Sequence, residues 1–245
     1  MKVCGITDIG RHRRDNQDSF AFRELDGGWA LLVVCDGMGG AQAGSVASSV
    51  AVEAFTAAVE EALAGGIPED PGLWEQTLAE ACREANGAVY RLSLEKREYE
   101  GMGTTLVAAL ARSGWACLVH VGDSRAYILG NNAIRQATVD HSFVQMLVDR
   151  GEITADEARV HPQKNLITRA LGVDRQVECD VTRLELGEGS RLLLCSDGLT
   201  NVLEDGAILD LSGREGEPES FCRALVDLTL ERGAPDNVTV VLAQL

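Results

Sequence analysis

The sequence predicts an α+β protein built on antiparallel sheets. Apolar runs of strand character are grouped before and after helical blocks, where βαβ units would alternate with them. Runs in the middle of the chain are joined by the short turns Ser113-Gly114 and Gly130-Asn131-Asn132, a meander that implies antiparallel pairing. Two long stretches carry one-sided apolar patterns of helical period and are expected to cover a sheet.

Taken in order, residues 3–9, 19–23 and 29–35 are predicted strands, the third an unbroken apolar run. The first helix spans 43–63, where Val46, Ala47, Val50, Ala51, Ala54, Phe55, Ala58, Val59 and Ala62 hold three-four spacing up to Gly65-Gly66. The second starts at Asp70-Pro71, a capping residue followed by proline in the first turn, and carries Trp74, Leu78, Ala81, Cys82, Ala85, Val89 and Leu92. Strands return at 104–111, 116–121 and 126–129. Residues 141–149 are predicted helical, and Thr154 with Glu157 has the spacing of a capping box for a short helix over 154–160. The polar, interrupted segment 142–166 is expected to leave the core as a flap over one end of the sheet. Strands at 177–184 and 191–195, a helix at 218–231 and a strand at 237–243 complete the chain, which is expected to form one catalytic domain over 1–245 with the flap inside it.

Composition narrows the function. With 245 residues, 45% hydrophobic content and five prolines, the chain can bury one large core. A net charge of −16 argues against nucleic acid or an anionic membrane as partner. The sequence holds no apolar run of transmembrane length, and residues 1–18 lack a signal-type apolar segment, so the expected compartment is the cytoplasm. The seven cysteines include no CxxC pair, and Cys35, Cys117 and Cys195 lie inside apolar runs. They read as small buried hydrophobes kept reduced, and a zinc site is not expected.

The chemistry lies in four acidic patches. Three directly follow strand-like runs: Asp36-Gly37 after 31–35, Gly122-Asp123 after 117–121, and Asp197-Gly198 after 192–196. The fourth, Asp236-Asn237, opens the last apolar run. Carboxylates gathered at strand ends repel one another unless a cation lies between them. Asp18, Asp36, Asp123, Asp197 and Asp236 would bring five negative charges together, and two divalent ions would leave the set close to neutral. Oxygen-only donors favour Mg²⁺ or Mn²⁺. Ahead of Asn16-Gln17-Asp18 stands Arg11-His12-Arg13-Arg14, whose guanidinium forks suit phosphate oxygens, although a solvated turn explains such a cluster equally well.

Thr7-Asp8-Ile9-Gly10, Arg13, Asn16-Gln17-Asp18, Asp36-Gly37-Met38-Gly39-Gly40, Gly103-Thr104-Thr105, Gly122-Asp123-Ser124-Arg125, Asp140-His141-Ser142, Ser196-Asp197-Gly198 and Asp236-Asn237 together resemble the ordered motifs of the metal-dependent protein phosphatases, the protein phosphatase 2C family. The segment 166–172 is similar to its bacterial branch. The resemblance implies a sandwich of two antiparallel β-sheets flanked by helices, and hydrolysis of phosphoserine or phosphothreonine by direct attack of water shared between two Mn²⁺ or Mg²⁺ ions. It implies that Asp36 and the Gly37 carbonyl bind metal, that Asp197 and Asp236 serve the second ion, and that Asp18 acts through water. Asp123 with Asp197 would hold a third, weaker ion, and Arg13 would grip phosphate. Phosphorylated proteins, a cognate serine/threonine kinase and a monomeric state are the implied partners and assembly.

The chain departs from the family pattern at four places. Met38 and Ala41 stand where a histidine is common, which leaves the leaving-group acid to a metal-bound water. Gln17 replaces a common glutamate, and Asn201 stands where an aspartate often follows Ser-Asp-Gly, a change that weakens a third metal position. Two alternatives remain open at this level: a phosphoprotein-binding pseudophosphatase, and a two-metal phosphoesterase for small substrates.

Overall fold

The protein is described from a computed structural model that covers residues 1–40 and 42–245; Ala41 lies outside the described residues. Two antiparallel sheets stack face to face. One has the order β1-β11-β10-β7-β8, from β1 (Lys2–Asp8), β11 (Val238–Gln244), β10 (Arg191–Cys195), β7 (Arg125–Gly130) and β8 (Ala133–Gln136). The other has the order β2-β3-β5-β6-β9, from β2 (Asp18–Leu25), β3 (Trp29–Met38), β5 (Leu106–Arg112), β6 (Trp115–Val121) and β9 (Asp180–Glu185), with the two-residue β4 (Gly103–Thr104) paired to the end of β3.

The unbroken apolar runs are explained by burial on both faces. In β3, Ala30, Leu32 and Val34 point into the space between the sheets, where they meet Val107 and Ala109 of β5 and Leu192, Leu194 and Val241 of the other sheet. Leu31, Val33 and Cys35 point the opposite way, under α1 (Ala43–Ala62) and α2 (Pro71–Glu95), against Phe55, Val59 and Leu78. The same period of two divides β10 and β11: Leu193, Cys195, Val240 and Leu242 face α7 (Pro218–Glu231) through Phe221, Cys222 and Leu225. Truncating a central side chain such as Leu118 to alanine would cost about 2–5 kcal/mol.

Local signals fix the helix ends. Asp70 accepts from the Gly72 amide at 2.9 Å ahead of Pro71, and Thr154 and Glu157 form both bonds of the capping box for α4 (Ala155–Arg159). The α3 helix (Phe143–Asp149) is capped by Ser142. Segment 142–166 closes on itself, since Phe143 N donates to Leu166 O at 2.7 Å and Ser142 bridges Ile167.

Several boundaries differ from the sequence reading. The 104–111 strand is broken at Thr105, whose amide and hydroxyl both bond to Asp36. The 177–184 strand begins only at Asp180, and β8, α5 (Asp197–Thr200) and α6 (Asp205–Arg214) were not anticipated.

Candidate metal centre

Antiparallel register gathers the acidic residues at one end of the sandwich. The C-terminal end of β3 lies beside the N-terminal end of β2, so Asp18 and Asp36 are direct cross-strand partners. The exits of β6 and β10 carry Asp123 and Asp197, and the entry to β11 carries Asp236. Glycines allow the loops to meet. A Cβ on Gly198 would stand 1.8 Å from Asn237 O, and one on Gly37 would stand 2.0 Å from Gly44 O. Asn237 joins the loops from below: its Nδ2 donates to Ile9 O and Asp15 O, and its Oδ1 accepts from Gln17 N.

Asp18 is the buried member of the set, 7% exposed. Its Oδ2 accepts from Ser196 Oγ at 2.7 Å and from Thr239 Oγ1 at 2.6 Å. Its Oδ1 is buried without a partner, and so is Asp197 Oδ1. Burial, opposed by those hydroxyls, pushes the Asp18 carboxyl up to about 7. Asp36, Asp123 and Asp197 are likewise raised, first by burial and then by neighbouring carboxylates of the same set.

Little positive charge reaches these oxygens. Arg13 Nη2 donates to Asp236 Oδ2 at 2.6 Å, with half of its side-chain surface still exposed. Lys164 Nζ reaches Asn201, whose Nδ2 donates to Asp197 Oδ2 at 2.8 Å. Arg125 is committed elsewhere, forked onto Asp140 at 2.7–3.1 Å. A crowded set of oxygen donors, with two of its atoms orphaned, fits hard divalent cations.

The structure thus brings Asp18, Asp36, Asp197 and Asp236 to one end of the sandwich, close enough for the charges to act on the buried carboxyls, with Asp123 beside Asp197 and Arg13 on Asp236. Gly37 sits at the same strand end, its N donating to Gln17 O at 3.0 Å. Motif reading did not assign roles to Ser196 and Thr239, whose hydroxyls hold the Asp18 carboxylate, to Thr105, whose hydroxyl accepts from the Asp36 backbone amide, or to Lys164. Ser196 and Thr105 lie inside the motifs; Thr239 and Lys164 carried no signal of their own.

A second group has the residue types of a metal site: His120, His141 and Asp180, with one candidate donor atom on each lying within 4.8 Å of the others. Its hydrogen bonds argue otherwise. His141 Nδ1 accepts from Gly122 N at 3.1 Å, which places a ring proton on Nε2; that nitrogen faces Asp180 Oδ2 at 3.3 Å and has the Arg169 guanidinium 3.2 Å away, where a cation would have to sit. Asp180 also accepts from Arg169 at 3.0 Å. A metal on that Nε2 would need the ring to lose its last proton or the backbone bond to break. The rings of His120 and His141 stack at 4.6 Å, and the trio braces the loop that presents Asp123.

Two clefts flank the acidic end. One of about 810 Å³ is bounded by Asp123, Asp140, Lys164, Asp197 and Asn201, and one of about 450 Å³ by Met38, Leu166, Arg169, Val173 and Val177.

Comparison with known proteins finds relatives over nearly the whole chain. The family Protein phosphatase 2C matches residues 10–214. The serine/threonine phosphatase stp of Listeria welshimeri is 37% identical over 238 residues, covering 97% of this chain and 93% of its own. The crystal structure of the serine/threonine phosphatase Stp1 from Staphylococcus aureus superposes with a TM-score of 0.90 at 37% identity, over 100% of this chain and 94% of that one. The catalytic domain of the serine/threonine protein phosphatase PstP, in complex with two manganese ions, superposes with a TM-score of 0.84 at 39% identity, over 99% and 97%.

Proposed function

The chain belongs to the protein phosphatase 2C family, and on that premise we propose that its acidic centre hydrolyses phosphoserine and phosphothreonine in proteins by direct attack of water. The protein is a serine/threonine protein phosphatase dependent on divalent metal. The observation that carries the site assignment is the cluster of raised carboxylates in which Asp18 Oδ1 and Asp197 Oδ1 are buried without partners.

In our reading, Asp36, the Gly37 carbonyl, Asp197 and Asp236 hold two Mn²⁺ or Mg²⁺ ions, Asp18 acts through water, and Asp123 with Asp197 holds a weaker third. Bound there, the ions would neutralise phosphoryl charge and acidify water. Arg13 receives the phosphate: Asp236 occupies one end of its fork, and the exposed remainder can meet phosphate oxygens. Ser196 and Thr239 hold Asp18 Oδ2, which turns Oδ1 towards the centre. Met38 has no proton to give, so the leaving alkoxide takes its proton from water.

We read 1–245 as one catalytic unit and 142–166 as its flap, with the 810 Å³ cleft accepting the chain that flanks the phosphoresidue. A cognate serine/threonine kinase, a monomeric state and the cytoplasm complete the proposal; reduced, mostly buried cysteines suit that compartment. Among the described residues, no helix is long and apolar enough to cross a membrane.

The test is phosphate release from a phosphothreonine peptide and from a nucleotide, with Mn²⁺ and with chelator. Turnover of the peptide that chelator abolishes is expected. Absence of turnover at every metal concentration contradicts the proposal, and equal rates on the nucleotide would favour a small-substrate phosphoesterase.

A further inference from the structure

Asp197 presents its two oxygens differently. Oδ1 is buried without a partner, whereas Oδ2 accepts from Asn201 Nδ2 at 2.8 Å. The carboxylate is thereby held in one rotation, with its free oxygen left for the acidic centre. An amide can hold it so only in one sense, because the same group turned over would set oxygen against oxygen.

Lys164 fixes that sense. Its Nζ lies 3.0 Å from Asn201 Oδ1, and an ammonium can only donate, so the amide oxygen must face Lys164 and the amide nitrogen must face Asp197. Lys164 is half-buried and belongs to segment 142–166, whereas Asn201 ends the short helix opened by Asp197. The relay therefore reaches from the excursion to the acidic centre along the wall of the larger cleft.

We propose that Lys164 is a positioning residue for Asp197, acting through Asn201 to aim Asp197 Oδ1 at a divalent cation. The inference rests on the metal-centre reading above and adds to it a control exerted by segment 142–166. Two effects of Lys164 on cation binding have opposite signs. As a bare positive charge it would repel a cation, so its removal would tighten binding. As the group that sets the amide it supports the ligand, and its removal would weaken binding.

The test is Mn²⁺ titration by calorimetry on metal-stripped, full-length protein without substrate. Lys164→Met is expected to raise the Mn²⁺ dissociation constant about fivefold, below the tenfold or more typical of groups bonded directly to a metal ligand, because Lys164 acts one bond further back. Lys164→Arg, which keeps a donor, is expected to restore it. Asn201→Leu reaches the same carboxylate without altering the excursion or adding a charge, and is expected to raise the constant further by removing the donor to Asp197. An unchanged or lowered constant for Lys164→Met overturns the inference while leaving the metal centre standing. Wild-type protein that takes up no Mn²⁺ overturns the metal centre, and this inference with it.

Discussion

The five-aspartate centre and the His120, His141, Asp180 group are built of residue types that metals bind, and both adjoin the Gly122-Asp123 turn, yet they differ in what is left unsatisfied. In the histidine group the one orphaned atom is a ring nitrogen, His120 Nδ1, and the carboxylates are paired: Asp180 faces Arg169 and His141, and nearby Asp140 is held by the fork of Arg125. In the aspartate centre the acids face mainly one another, and two of their oxygens have no partner. Uncompensated charge, more than ligand-type residues in proximity, marks the place where a cation belongs.

The largest expected effect tests that contrast at its acidic side. Asp36→Asn should lower kcat/KM by about a thousandfold or more, the scale of losing a principal electrostatic contribution. In metal-free protein it should raise Tm, because one of the mutually repelling carboxylates is gone. A fall in the metal-free Tm would show that Asp36 is already compensated.

On the other side, Arg125→Met removes a partner from a pair whose side chains are only 23% and 12% exposed. It should destabilise the protein by about 2–3 kcal/mol, at or below the range for breaking a buried pair. Thermal unfolding should shift down by roughly 5–10 °C. A shift under a degree would mean that Asp140 finds another partner or enough water.

Arg13→Ala should act on binding, raising KM about tenfold with a smaller change in kcat. If neither constant moved, Arg13 would be a solvated turn residue. The smallest effect belongs to Asp180→Asn, which should leave the number of bound Mn²⁺ ions unchanged and kcat within about twofold. Loss of a bound ion would make the histidine group a metal site after all.

The acidic side of this contrast was legible in the sequence, and the histidine side was not. The acids are local features at strand ends, and their aggregate charge could be counted before their positions were known. Asp70-Pro71 and the capping box at Thr154 gave helix starts because capping is settled within a few residues. Elements set by distant contacts were not legible. β8 is a four-residue edge strand, Ala133–Gln136, with polar and apolar character mixed; the turn before it was read, with Asn131 and Asn132 both left-handed, but its pairing was not. α6 contains Gly206 and Gly213 and buries only Ile208, too little for a helical pattern to stand out. The partners of Asp18 show the same limit: Ser196 and Thr239 meet it from 178 and 221 residues away.

The most direct measurement is anomalous scattering at the manganese edge from crystals grown with Mn²⁺. Peaks should appear among Asp18, Asp36, Asp197 and Asp236 and be absent beside His120 and His141. Peaks at the histidine group alone, or an acidic end that binds no manganese, would contradict the account.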